Sequence, residues 1–210
     1  MSGPTTFVIA GGGLAAAKAA ETLREQGADG RILLIGDEPD LPYERPALSK
    51  DYLQGKSARE KIFVHDGAWY RDHDIEFRSG TAVTGIDRGG RRVTLSDGEQ
   101  VGYDRLLLAT GATPRRLPVP GADLDGVLYL RTVRESERIR DTLAAASRVA
   151  IIGAGWIGLE VAAAARAAGV SVTVLEVERQ PLLAVLGSRI ASVFADLHRG
   201  HGVDLRLGAR

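Results

Sequence analysis

The chain has 210 residues, 44% of them apolar, with 27 basic and 27 acidic side chains that cancel and a pI of about 6.9. That balance fits one large or two small globular domains, and it offers no basic stripe for nucleic acid or an anionic membrane surface. There is no cysteine, which excludes a disulfide framework, a thiol nucleophile, a thiolate metal site and an internal dithiol relay within this chain. No apolar stretch approaches the length of a membrane span, and Met1–Thr6 has no basic segment of the kind that opens a secretory signal, so the expected location is the cytoplasm.

The first element is an apolar run, Phe7-Val8-Ile9-Ala10, which reads as a buried strand. Gly11-Gly12-Gly13 makes a tight turn, Leu14 to Gln26 a helix, and Arg31 to Ile35 a second strand that ends at Asp37. This is a βαβ unit with G-x-G-x-x-A at its first turn, the pattern of a dinucleotide site. Gly11 lets the chain reverse, Gly13 lets backbone approach a diphosphate, and Ala16 is small enough for helix to pack on strand. The free N–H groups and the dipole at the helix start favour the phosphates. Asp37 lies 21 residues after Ala16, the spacing of a carboxylate that binds a ribose diol.

The proline-rich loop that follows contains Arg45-Pro46-Ala47-Leu48-Ser49-Lys50, with Pro46 set to open a short helix. Arg45 and Lys50 read equally as ligands for a phosphate or an electron-rich ring and as solvated cations. A short helix around Gly67 to Arg71 and a strand Ile75 to Arg78 come next. Strands Thr81 to Ile86 and Arg92 to Leu95, with the Asp97-Gly98 hairpin signal, read as a small antiparallel β-meander. Leu106 to Ala109 is a continuous apolar run, expected as a strand buried on both faces, and it ends in Thr110-Gly111. The proline-rich stretch Thr113 to Gly121 marks the domain boundary, giving domains 1–113 and 114–210.

The second half repeats the first. A short strand is expected at Val127 to Leu130 and an amphipathic helix at Arg131 to Ala146. Arg148 to Ile152 is a strand, Gly153-Ala154-Gly155-Trp156-Ile157-Gly158 a full G-x-G-x-x-G, Leu159 to Ala168 a helix, and Ser171 to Leu175 a strand ending at Glu176, 18 residues beyond Gly158. A carboxylate there favours NADH over NADPH because it repels a 2′-phosphate, with Arg179 set to soften that preference. Ser188 to His198 is a helix and Val203 to Leu207 a strand. His198 and His201 read as helix-end residues and not as a metal site, and no metal is expected. The expected class is α/β, two Rossmann-like βαβ domains with a small antiparallel meander. The second has fewer parallel strands than a dinucleotide domain uses, so the sequence reads as part of a longer fold.

The order of these motifs resembles the two-dinucleotide flavoprotein reductases, the FAD-dependent pyridine-nucleotide oxidoreductases. Arg45-Pro46-Ala47-Leu48-Ser49-Lys50 is similar to the loop of the NADH-dependent ferredoxin reductases that serve oxygenases and cytochromes P450. The resemblance covers Phe7 to Leu207 and implies FAD in the first domain and NADH in the second. Gly11, Gly13 and Ala16, with Leu14 and Ala15, would hold the FAD diphosphate; Asp37, with Glu38, the adenosine ribose; Val83 the adenine end; and Ala109, Thr110, Gly111 and Arg115 would complete the site. Arg45 and Lys50 would line the flavin. Gly153, Gly155, Ile157 and Gly158 would hold the NADH diphosphate and Glu176 its ribose. Glu160 would stand beside nicotinamide and flavin, paired with Lys50. Trp156 belongs either at the flavin face or to plain packing. Electrons would leave to an external [2Fe-2S] ferredoxin, from a monomer or weak dimer. Other members of the same architecture, NADH oxidases, rubredoxin or nitrite reductase components, monodehydroascorbate reductases and the apoptosis-inducing-factor type of NADH-responsive interaction protein, share the hydride entry and differ in what takes the electrons.

Overall fold

The computed structural model describes residues 4–209. The chain divides into two compact units. One holds residues up to Glu44 and Arg59–Thr113; the other holds Arg45–Ala58 together with Pro114 onward. The boundary near 113 coincides with the proline-rich stretch. Residues 45–58, which lie before it in sequence, pack with the second unit.

In the first unit β1 (Thr6–Ala10), α1 (Leu14–Glu25) and β2 (Arg31–Ile35) form the βαβ element. The short helix α2 (Gly67–Asp72) starts where Asp66 accepts a hydrogen bond from Trp69 N, and β3 (Ile75–Arg78) follows. The meander is β4 (Val83–Asp87), β5 (Arg92–Leu95) and β6 (Gln100–Gly102), and β7 (Arg105–Leu108) closes the unit. Strands β3, β2, β1 and β7 lie in that order in one all-parallel sheet. Alternate side chains of the central strands supply both faces. Ile9, Ile32 and Leu34 meet Ala16 and Ala20 of α1 and Tyr70 of α2; Val8, Leu33 and Ile35 meet Val93, Leu95 and Val101 of the meander. The sheet is therefore sandwiched between helices and meander.

The expected double burial of Leu106 to Ala109 does not hold. β7 is the edge strand of this sheet, and Leu107 and Leu108 are exposed. The apolar composition of an edge strand looks the same as that of a central one, and only its neighbours differ. A groove of about 430 Å³ lined by Phe7, Ile9, Leu23, Leu106 and Leu107 runs beside it.

In the second unit α3 (Val133–Ala145) opens with a capping box: Thr132 accepts from Glu135 N, and the Glu135 carboxylate accepts from Thr132 N. It is followed by β8 (Arg148–Ile152), α4 (Trp156–Ala167), β9 (Ser171–Glu176), α5 (Leu183–Gly200) and β10 (Val203–Leu207). Strands β10, β9 and β8 form a parallel sheet. Its core joins Val172 and Val174 to Leu159, Ala162 and Ala165 of α4, to Ile139 and Leu143 of α3, and to Leu53 from the 45–58 segment.

Three expectations need correction here. Val127 to Leu130 is not a strand: none of the described strands pairs with it, and Leu128 and Leu130 instead pack as loop side chains against the core. Helix α4 starts at Trp156, three residues before the expected Leu159, so the last three residues of the glycine motif form its first turn. Helix α5 begins five residues before Ser188, with a break at Gly187 (φ 70°, ψ 167°) that hides the earlier turn from a helical pattern.

Candidate dinucleotide sites

In the first unit the C-terminal ends of the strands are laced together by backbone. Gly11 N donates to Ile35 O, Gly36 N to Arg78 O and Ala109 N to Ala10 O, each at 2.8–2.9 Å. This brings the Gly11–Gly13 turn, the Gly36-Asp37 turn and Ala109 to one edge of the sheet. Gly11, at φ 136°, passes so close to β7 that a Cβ would stand 2.0 Å from the carbonyl oxygen of Ala109. Gly12 is crowded in turn, with Gly36 Cα 3.0 Å from its would-be Cβ. Gly13 differs: a Cβ there would meet nothing within 4 Å. Gly13 is also the N-cap of α1, and no side chain caps that end. The N–H groups of Leu14, Ala15 and Ala16 thus lack helical partners at an end that adjoins open space. Donors and room together fit a diphosphate.

Asp37 follows this edge and is exposed. Glu38 accepts a hydrogen bond from the Tyr43 hydroxyl, which ties the following loop back. Thr110 and Gly111 are exposed at the end of β7. Val83 packs partly buried against the cluster of Val8, Leu33 and Val93. Arg115 is exposed and falls in the second unit.

The second glycine turn repeats the design with one addition. Gly153 N donates to Leu175 O at 2.8 Å. The small residue at the third motif position is forced by the packing of the helix on the glycine turn, because a Cβ on Gly158 would lie 2.1 Å from Gly153 O. Gly155, the N-cap of α4, again has no side-chain cap and nothing within 4 Å of its would-be Cβ. The addition is Glu176. Its Oε2 accepts from Ala154 N at 2.6 Å and its Oε1 from Glu178 N at 2.9 Å. The carboxylate expected at a ribose thus also pins the glycine turn to the end of β9. Each oxygen retains a further lone-pair direction for a diol. Trp156 sits edge-on to Phe194 at 5.4 Å and is about half exposed, like its neighbour Ile157.

The 45–58 segment completes this unit. Residues 45–49 form a 3-10 turn. Arg45 Nη1 donates to Arg131 O at 2.6 Å, the buried Ser136 hydroxyl donates to Leu48 O at 2.8 Å, and Tyr52 Oη donates to Glu137 at 2.6 Å. Lys50 Nζ lies 2.9 Å from Glu160 Oε1, so the two residues singled out for catalysis, 110 positions apart, do meet. The other oxygen of Glu160 accepts from Ser49 Oγ. Ser49 was not among the candidate residues; its place beside Lys50 in the loop motif is the one signal that pointed to it. Ser136, Tyr52 and Glu137 carried no such signal, because nothing local marks a side chain whose partner is more than eighty residues away.

Two βαβ elements, each with a glycine turn at an uncapped helix start and an acidic residue at or just beyond the end of the second strand, define an α/β protein with two dinucleotide-binding units. More specifically, the chain belongs to the pyridine nucleotide-disulphide oxidoreductase family, whose model matches residues 5–210. It is 47% identical over 202 residues to rhodocoxin reductase from Rhodococcus erythropolis, covering 96% of this chain and 47% of the relative. A ferredoxin reductase from Rhodopseudomonas palustris superposes with a TM-score of 0.95 at 43% identity, over 98% of this chain and 51% of that one. The covalent putidaredoxin reductase–putidaredoxin complex superposes at 0.93 and 41% identity, over 99% and 50%. The chain spans about half the length of these proteins.

Proposed function

We propose that the chain supplies the FAD-binding and NADH-binding units of a flavoprotein reductase that passes electrons to a ferredoxin-type iron–sulfur protein, a [2Fe-2S] ferredoxin. The observation that carries this reading is the Lys50–Glu160 ion pair, which joins the Arg45–Lys50 loop to the helix of the second glycine motif. The relatives support the acceptor: one is named for rhodocoxin and another was crystallised joined to putidaredoxin.

Gly11, Gly13, Leu14, Ala15 and Ala16 offer backbone to the FAD diphosphate, with Asp37 at its ribose and Glu38, Val83, Ala109, Thr110, Gly111 and Arg115 as further contacts. Gly153, Gly155, Trp156, Ile157 and Gly158 offer backbone to the NADH diphosphate, with Glu176 at its ribose. When bound, nicotinamide and flavin supply hydride transfer and the change from two-electron to one-electron chemistry. The protein orients rather than reacts. Arg45 and Lys50 serve the flavin ring, and the Lys50 ammonium stabilises negative charge there. Glu160 holds that ammonium in place until it is needed.

The test is an anaerobic titration of the FAD-loaded chain with NADH, followed by absorbance. Wild type should bleach. Lys50→Ala and Glu160→Ala should each slow flavin reduction about tenfold or more, equivalent to about 1.4 kcal/mol of barrier. Wild-type rates in both variants would refute the roles given to this pair.

A further inference from the structure

Two consecutive residues of one turn hold opposite oxygens of the same carboxylate. Lys50 Nζ is 2.9 Å from Glu160 Oε1, and Ser49 Oγ donates to Glu160 Oε2 at 2.5 Å. The two grips differ in kind. The Lys50 side chain is 52% exposed on a flexible stem, whereas Ser49 is 5% exposed and turns about a single side-chain bond. An exposed ion pair is screened and loses side-chain entropy when it forms; a buried hydroxyl has little freedom to lose. The turn beneath Ser49 is itself fastened. Leu48 O accepts from the buried Ser136, and Lys50 N donates to Ala47 O at 3.0 Å.

We propose that Ser49 is a positioning residue that fixes the Glu160 carboxylate, leaving Lys50 as the partner that exchanges. This rests on the reading of Lys50 and Glu160 given above and deepens it. With Ser49 in place, Lys50 leaves Oε1 and returns to an acceptor that has not turned. Without it, Oε2 loses its donor in a half-buried place, and the carboxylate rotates to find another. Among the described residues, Ser49 and Lys50 are the hydrogen-bond and ion-pair partners of Glu160.

The decisive measurement needs no cofactor. The full chain is labelled with carboxyl-¹³C glutamate, and the Glu160 line is assigned by its loss in Glu160→Gln. The line should stay sharp in Lys50→Ala, and it should broaden or split in Ser49→Ala and in Ser49→Cys, which keeps the shape of serine with a weak donor. Ser49→Thr should restore it. In the FAD-loaded chain, Ser49→Ala should lower the limiting rate of flavin reduction about tenfold, with the half-saturating NADH concentration within about twofold, and Ser49→Thr should recover it. A sharp Glu160 line in both Ser49→Ala and Ser49→Cys overturns the proposal, as does an unchanged limiting rate in Ser49→Ala. If wild type shows no flavin reduction while the line behaves as described, the positioning role stands and the reductase reading falls.

Discussion

The carbonyl oxygen of Ala109 stands 2.0 Å from the point that a Cβ on Gly11 would occupy. This one approach explains why the first glycine of the motif is required before any ligand binds. It lets the end of β7 close over the turn that leaves β1, and Ala109 N completes the join by donating to Ala10 O. The offending atoms are backbone and cannot swing aside, and φ of 136° adds strain for any side chain. Gly11→Ala should therefore destabilise the fold by about 3 kcal/mol, read as a lower urea midpoint of the chain without cofactor. An unchanged midpoint would mean that β7 does not hold this position.

Gly13 and Gly155 should behave in the opposite way. Both are extended N-cap residues at negative φ with open space around a would-be Cβ. Alanine at either position should cost no more than about 1 kcal/mol. Ligand affinity should nonetheless drop about tenfold, for FAD with Gly13→Ala and for NADH with Gly155→Ala, because the methyl group occupies the space that fits the diphosphate. Calorimetric titration of each variant with each dinucleotide checks both halves of this statement. Equal loss of both ligands in one variant would contradict the assignment of one dinucleotide to each unit.

The parts of the fold that were legible in the sequence are those whose causes are local. The glycine turns, both βαβ elements and the Asp97-Gly98 hairpin rest on spacing within a few dozen residues. The parts that were not legible depend on distant partners. Residues 45–58 join the second unit through Leu48, Leu53 and Tyr52, whose contacts are with helices α3 and α4. The apolar Val127 to Leu130 stretch looked like a strand, but a strand needs a neighbour with free backbone groups, and its leucines found burial without one. Lys50 and Glu160 could be paired only through family resemblance. Ser49 carries little signal of its own, because a small hydroxyl in a turn ordinarily needs no explanation beyond the turn.

The capping box of α3 supports the helix that fastens the 45–58 segment. The Thr132 hydroxyl accepts from Glu135 N, while Glu135 Oε2 accepts from the backbone N–H groups of both Arg131 and Thr132. Thr132→Ala should cost about 1 kcal/mol, with Thr132→Ser close to wild type. Because α3 carries Ser136 and Glu137, hydrogen exchange in residues 45–58 should rise together with that in the first turn of α3. Faster exchange confined to α3 would show that the segment is held by other means.

Tyr70 gives a prediction at alkaline pH. Its ring is packed among His65, Trp69 and Phe77, and its buried hydroxyl lacks a hydrogen-bond partner among the described residues. Burial first, and the negative charge of Glu21 second, push its pKa far above the ordinary value of 10.0. The folded chain therefore keeps the phenol neutral where the unfolded chain ionises it. This contribution to stability is fully present below pH 10 and is lost as the pH rises beyond it. Tyr70→Phe removes both the unpartnered hydroxyl and this alkaline loss. The variant should be about 1 kcal/mol more stable than wild type near neutrality, and its advantage should widen between about pH 9 and pH 11. Urea midpoints of the two proteins across that range are the check. Curves that run parallel would mean that the phenol ionises in the folded state as readily as in the unfolded chain, and that water reaches a side chain the structure places in the core.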